Sequence, residues 1–409
     1  MFDLATLDQD DLHGGSSPWA RHARRVPLVH LQQSIRCDVV VVGAGITGAL
    51  VAEHLTRHGL DVCVVDREQP GLGSTVASTA MLLWEIDKPL REFVISHGFE
   101  RAAQIYRQSA AAASGLQALI SDLKIDCNAR ANPSLYLSTE ENGPRILLEE
   151  HELRRRAGLP GEYLDHQAVR SRFGMAREAA LMSSGSADVD PVMLSQSLLA
   201  VAASRGARLF DGQASDFDAS ATEASIELDN GKIIAAKWIV LATGYALPDF
   251  VRSDLHSLAS SWAICTPPQQ LSAIWPEDAL IWEASESYLY ARTTVDRRII
   301  IGGEDETEIV EPNERDALIA VKTERLLAKL QRLRPEAMPV AEFAWAGAFG
   351  KTIDSLPMIG RVPGRPRMLG AYGYGGNGIT FSFLASRIIG DTINGIDRTD
   401  YDAFSFERD

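Results

Sequence analysis

From Cys37 to Val42 the chain reads Cys-Asp-Val-Val-Val-Val, a nearly unbroken apolar run of β-branched side chains. That is the pattern of a parallel strand buried on both faces. A period near 3.6 follows, with Leu50, Val51 and Leu55 on one face, and predicts a helix from about Ile46 to His58 that stops at Gly59. Asp61 to Asp66 is a second apolar run, so the segment reads as a βαβ unit. Helical patterns then run from about Pro89 to Leu123 and from Pro191 to Arg205, the latter with a proline in its first turn. Strands are predicted at Ala207–Phe210, Ser225–Leu228 and Lys237–Ala242, with a turn at Asp229-Asn230-Gly231. The stretch from Ser260 to Gly303 is strand-rich, including Ser287–Arg292 and Arg298–Ile301. A charged helix from Glu314 to Arg334 ends before Pro335, and a short strand lies near Phe343–Trp345. A glycine loop, Gly373 to Gly378, opens a closing helix from about Ile379 to Ile389. Met1 to Arg36 lacks such periodicity, and Pro18-Trp19 with Arg21 to Arg25 reads as an irregular arm laid over the domain.

The pattern sits on 409 residues, 45% of them hydrophobic, enough for more than one core and for two domains. A net charge of -15 with no long basic block argues against nucleic acid as a partner. The same acidic field favours the approach of cations such as amines. The four cysteines, Cys37, Cys63, Cys127 and Cys265, show no metal-like spacing, so no metal site is expected. Cys37 and Cys63 fall on core strands as reduced thiols, which fits a cytoplasmic location. The N-terminus carries Asp3, Asp8, Asp10 and Asp11 and has no apolar core of a signal peptide. No apolar run is long enough for a transmembrane segment.

Gly43-Ala44-Gly45-Ile46-Thr47-Gly48 stands between the first strand and its helix, the context a dinucleotide-binding turn requires. Gly43 permits the tight turn, Gly45 lets backbone approach a diphosphate, and Gly48 lets helix pack on strand. The helix N-terminus favours the anion. Asp66 lies 23 positions after Gly43, the separation expected of an acid on a ribose hydroxyl. Three later features select FAD over NAD. Leu241-Ala242-Thr243-Gly244 ends a strand in small residues. Gly73, Ser74 and Thr75 with Ser78, Thr79 and Ala80 offer hydroxyls and open backbone for a phosphate and a flat ring. Gly375, Gly376, Asn377, Gly378, Ile379 and Thr380 open a C-terminal helix whose N-terminus could stabilise charge on a reduced flavin.

On these residues the chain resembles the D-amino acid oxidase superfamily, particularly its glycine oxidase and sarcosine oxidase-like branch. The resemblance runs from about Cys37 to Asn394 and includes Asp190-Pro191 and Trp345–Gly360. It implies an α/β fold with a discontinuous Rossmann-like FAD-binding domain (1–131, 188–261 and 340–409). It also implies an α+β substrate domain with a large antiparallel sheet (132–187 and 262–339). Arg67, Met81 and Ala214 join the implied FAD contacts. The implied chemistry is oxidation of a carbon–nitrogen bond: a neutral amine delivers hydride to flavin N5, and the resulting imine hydrolyses. Oxygen or another acceptor then reoxidises the flavin.

At the substrate the resemblance weakens. Family members of the glycine oxidase branch clamp the substrate carboxylate with an arginine in the segment corresponding to Trp345–Gly350, where this chain has Phe349. A phenylalanine cannot make that bidentate pair. Either another cation, Lys351 or Arg292, takes over, or the substrate lacks an α-carboxylate. The sarcosine oxidase branch often tethers its flavin through a cysteine here, and none lies between Trp345 and Gly360, so non-covalent FAD is expected. Trp84 reads as packing, and Glu85 and Asp87 as solvated loop acids with amine binding as the alternative. No histidine pairing nominates a general base. The leading expectation is a small amine or amino acid as substrate. Oxidation of a hydroxy acid or polyol phosphate, and a low-turnover flavoprotein subunit of a redox assembly, stay open beside it.

Overall fold

The computed structural model describes residues 12–251, 253–285, 288–309 and 311–408. Two nine-stranded sheets organise them. The first is centred on Ile35–Val42, which pairs in parallel with Val62–Asp66 on one side and Ile233–Leu241 on the other. Arg208–Asp211 extends it beyond Val62–Asp66, and Arg365–Tyr372 adds in parallel to Ile233–Leu241. Strands far apart in sequence therefore meet in one sheet. Val39, Val40 and Val41 are wholly buried, as a strand covered on both faces demands.

The second sheet runs in the order His13–Ser16, Phe343–Thr352, His256–Cys265, Ile299–Glu306, Leu289–Thr293, Leu280–Trp282, Ser134–Leu137, Ala179–Ser183, Glu162–Asp165. Its pairings are antiparallel except Leu280–Trp282 with Ser134–Leu137. Ile319–Leu333 packs Leu326, Leu330 and Leu333 against this sheet's core. A separate three-stranded ladder joins Met81–Leu82, Ala187–Asp188 and Arg130–Ala131.

Several sequence expectations differ from this arrangement. Phe343–Thr352 is a ten-residue strand of the second sheet, whereas the sequence suggested a short strand within the cofactor domain. Its glycines serve close approach: a Cβ on Gly350 would lie 2.5 Å from His256 Nε2 and one on Gly347 3.2 Å from the Ala77 Cβ. His256–Cys265 likewise starts in the second sheet before the expected boundary at 262. The charged helix is two, Pro312–Ala317 and Ile319–Leu333. In the arm, His13–Ser16 is a strand and Trp19 is buried, its indole N–H donating to the Ser78 carbonyl at 2.7 Å. The acids at 3, 8, 10 and 11 lie outside the described residues, as does Ser287, and the strand near it spans Leu289–Thr293. No helix among the described residues is long and apolar enough to cross a membrane.

Candidate active site

At the end of Ile35–Val42 the chain turns through Gly43, with φ +103°, and enters the helix Ile46–Arg57. A Cβ at Gly43 would stand 2.3 Å from the Ala242 carbonyl oxygen, so strand Ile233–Leu241 closes the turn against any side chain. A Cβ at Gly48 would lie 1.8 Å from the Gly43 oxygen, which makes Gly48 the contact point of helix and turn. Gly45 opens toward Thr75, whose hydroxyl accepts from the Ile46 N–H at 3.0 Å. Asp66, at the end of the next strand, accepts from the Ala44 N–H at 2.6 Å and the Glu68 N–H at 2.9 Å. Burial lifts its carboxyl above the ordinary value, and these N–H groups oppose that lift. The first-turn N–H groups of the helix have no intrahelical partners and face an anion site.

A long cavity starts here, lined by Gly43, Gly45, Ile46, Thr47, Asp66 and Arg67. It continues past Gly73, Ser74, Thr75 and Ser78, then past Ala214, Thr243, Gly244 and Ile379. The Ser74 hydroxyl is buried in it without a hydrogen-bond partner, a group placed for an incoming acceptor. An open glycine turn, a helix N-terminus, a carboxylate beyond it and an orphaned hydroxyl together fit a dinucleotide cofactor. Gly48 and Ala80 do not line it; their roles are packing and backbone geometry, Ala80 holding φ +57°. Thr47 pairs with Tyr374 at 3.1 Å and Ser382 at 2.7 Å, tying the first helix to the last.

The glycine loop divides its labour. Gly378 and Ile379 line the first cavity. Asn377 and Thr380 do not, because their side chains donate to the carbonyls of Leu83 and Glu85 at 2.8–3.1 Å. They hold the loop against the segment after Met81. Gly375 and Gly376 enclose Asp87: a Cβ on either would lie within 2.6 Å of its carboxylate, which accepts the Gly376 N–H at 2.7 Å.

A second cavity, of about 540 Å³, adjoins the first, both being lined by Ser74, Ser78, Tyr245 and Gly378. Its size suits a small organic molecule. Thr79 and Met81 form part of one wall, and the antiparallel sheet supplies Tyr288, Tyr290, Asp305, Trp345, Phe349 and Lys351. Lys351 stands two residues beyond Phe349 on the same strand, its Nζ 5.3 Å from the ring centroid. Asp305 accepts a short hydrogen bond from the Tyr288 hydroxyl, and the Ser261 hydroxyl also bonds its carboxylate. Burial raises both Asp305 and Asp87, with Lys351 pulling each back down.

Two readings from sequence are corrected here. Arg292 is not a substrate cation: it is 2% exposed and lines neither cavity. Its guanidinium donates to the carbonyls of Thr79, Ala80 and Val189 at 2.9–3.1 Å and sits 3.4 Å from Asp188. It anchors the Thr79–Ala80 backbone from behind. Nor is Glu85 a solvated loop acid. Glu85 is 1% exposed, bound by Ser134 and beside Arg154, whereas Asp87 is an exposed loop acid, as read from sequence, and lines the second cavity. Sequence reasoning missed Tyr288 and Asp305. Asp305 follows Ile-Ile-Ile-Gly-Gly on a strand, and an acid after an apolar run was the signal available.

Comparison with known proteins agrees with this geometry. The family described as DAO, FAD dependent oxidoreductase, matches residues 38–392. Gamma-glutamylputrescine oxidoreductase of Escherichia coli is 25% identical over 95% of this chain and 91% of its own. Glycine oxidase of Geobacillus kaustophilus is 24% identical over 88% of this chain and 93% of its own. The crystal structure of glycine oxidase from Geobacillus kaustophilus superposes with a TM-score of 0.74 at 22% identity, covering 91% of this chain and 99% of that one. L-amino acid deaminase from Proteus vulgaris gives 0.74 at 16% identity, over 94% and 100% of the two chains.

Proposed function

The chain belongs to the DAO family of FAD-dependent oxidoreductases, and from that premise we propose that it oxidises a carbon–nitrogen bond of a small amine or amino acid. The observation that carries this reading is the second cavity. It adjoins the cofactor cavity at Tyr245, Ser74 and Gly378 and is walled by aromatic rings and carboxylates, which suit an amine.

FAD, when bound, supplies the acceptor for a hydride from the carbon next to the substrate nitrogen. Gly43, Gly45 and the first turn of Ile46–Arg57 would hold its diphosphate, and Asp66 its ribose. None of the four cysteines lines either cavity, which supports a non-covalent cofactor. Thr79 and Met81 form the wall near the junction, kept in place by Arg292. Tyr290, Trp345 and Phe349 exclude water and orient the substrate carbon. The nitrogen must lose a proton before the hydride leaves. Its products are then an imine and, after addition of water, a carbonyl compound and a released amine or ammonia. No side chain need do more than bind, orient and exclude.

Anaerobic mixing of the holoenzyme with amines, amino acids, hydroxy acids and polyol phosphates tests the proposal. Bleaching of the flavin by a compound with an oxidisable C–N bond is expected. Bleaching by hydroxy acids or polyol phosphates alone would overturn it.

A further inference from the structure

The charge balance of the second cavity narrows the substrate, given the reading of C–N oxidation above. Among its described lining residues are the carboxylates of Glu85, Asp87, Glu92, Glu141, Glu283 and Asp305, against the lysines Lys88 and Lys351 and no arginine. Some of these acids are already compensated. Glu85 has Arg154, and Glu283 has Arg177 at 2.8 Å. Asp87 and Asp305 are different: among the described residues no arginine is paired with either, Asp305 raises the proton affinity of Asp87 through space, and Lys351 acts on both in the opposite sense, joined at Asp305 by Lys322. Two carboxylates facing one ammonium leave a negative site even after Lys351 is counted. Asp305 lines the cavity with its carboxylate held by the hydroxyls of Tyr288 and Ser261, so its orientation is fixed while its charge is left without a paired cation.

A substrate α-carboxylate brought here would find Phe349 and a lysine outnumbered by the acids around it. A substrate ammonium would find the Asp305 carboxylate and the rings of Tyr288, Tyr290, Trp345 and Phe349, which attract cations and cover methylenes. The volume of the cavity, about 540 Å³, leaves room for a chain between the reacting amine and that second ammonium.

We propose that the cavity selects an oligoamine, a substrate with a second positive charge and no α-carboxylate, and that Asp305, oriented by Tyr288, holds the ammonium remote from the reacting carbon. Asp87, fixed by the Gly376 N–H, adds to the negative potential along the path. Lys351 opposes the rise in proton affinity of both acids and is not a carboxylate clamp.

The test compares compounds of one length on the holoenzyme without oxygen: 1,5-diaminopentane, pentylamine, 5-aminopentanoate and both enantiomers of norvaline. The diamine is expected to half-saturate flavin reduction at a concentration at least about tenfold below that of pentylamine, with the two carboxylates weaker still. The rise in melting temperature that each compound produces should follow the same order, read without turnover. Asp305→Asn is expected to bring the diamine's half-saturating concentration to that of pentylamine, raising KM far more than it lowers kcat. Tyr288→Phe, which removes only a hydroxyl, should erode the same preference and serves if the first variant does not fold. Tighter reduction by norvaline or 5-aminopentanoate would overturn the oligoamine assignment and leave C–N oxidation standing. A flavin reduced by hydroxy acids and by no amine would remove both.

Discussion

A single methyl group at Gly48 tests whether the turn and the helix form one rigid cradle. The Cβ of an alanine there would lie 1.8 Å from the Gly43 oxygen and 2.9 Å from its carbon, both backbone atoms that cannot rotate away. Reaching even 3.0 Å requires turn and helix to part by about 1.2 Å, in an interior packed like a crystal. Overpacking of this kind costs about 1–3 kcal/mol. The displaced atoms are those that face the diphosphate, so the cost falls on the cofactor complex and corresponds to a rise of about 5- to 150-fold in the Kd for FAD. Titrating apoprotein with FAD and following the quenching of flavin fluorescence reads this directly. Gly143→Ala is the control, because Gly143 has ordinary backbone angles and nothing within 4 Å of its would-be Cβ. Gly48→Ala with the FAD affinity and melting temperature of the parent would refute the reasoning, since the methyl would then have been accommodated at no cost.

Three further outcomes follow from other contacts. Asp66→Asn should weaken FAD binding about tenfold or more in the same titration, because a hydrogen bond to a charged group contributes about 1.5–3 kcal/mol. Arg292→Met should lower stability by about 3 kcal/mol or more, seen as a fall in melting temperature, since it strands three carbonyls and weakens the pairing of buried Asp188; an unchanged melting temperature with a raised KM would instead restore Arg292 as a substrate ligand. Burial works against ionised Asp354, but Arg408 contacts it through two nitrogens at 2.6 and 2.9 Å and holds its carboxyl below the ordinary value of 3.8. Because the folded value is the lower one, this pair's stabilisation is present above pH 3.8 and fades as the pH falls through the folded value. The melting temperatures of the parent and Arg408→Gln should therefore differ at neutral pH and converge in strong acid.

The cofactor half of the molecule was legible because its constraints are local. A β-branched run, three glycines at fixed spacing and an acid one strand later are each set by short stretches of chain, and Gly43 makes the tight turn and Gly48 the helix contact that the pattern expected. The glycine loop was legible as a helix opening, but not in detail. Whether Asn377 faces a ligand or reaches back to Leu83 and Glu85 depends on a segment almost three hundred residues away. Arg292 shows the same limit: on a strand, neighbours alternate between faces, and only the sheet's position decides which face meets the cavity. Phe343–Thr352 was cut short because glycine and alanine read as a loop, whereas close packing of strands against His256 and Ala77 requires them. Glu85 was taken for a surface acid since nothing nearby in sequence reveals Ser134 or Arg154 as its neighbours.

The most direct test of C–N oxidation is an anaerobic titration of the holoenzyme with a bleaching amine, followed by quantitation of the products. The account predicts one carbonyl compound and one released amine or ammonia for each flavin reduced, with the cofactor recovered as free FAD after acid precipitation. Flavin reduction without a carbonyl product, or with the nitrogen still bound to its original carbon, would contradict it.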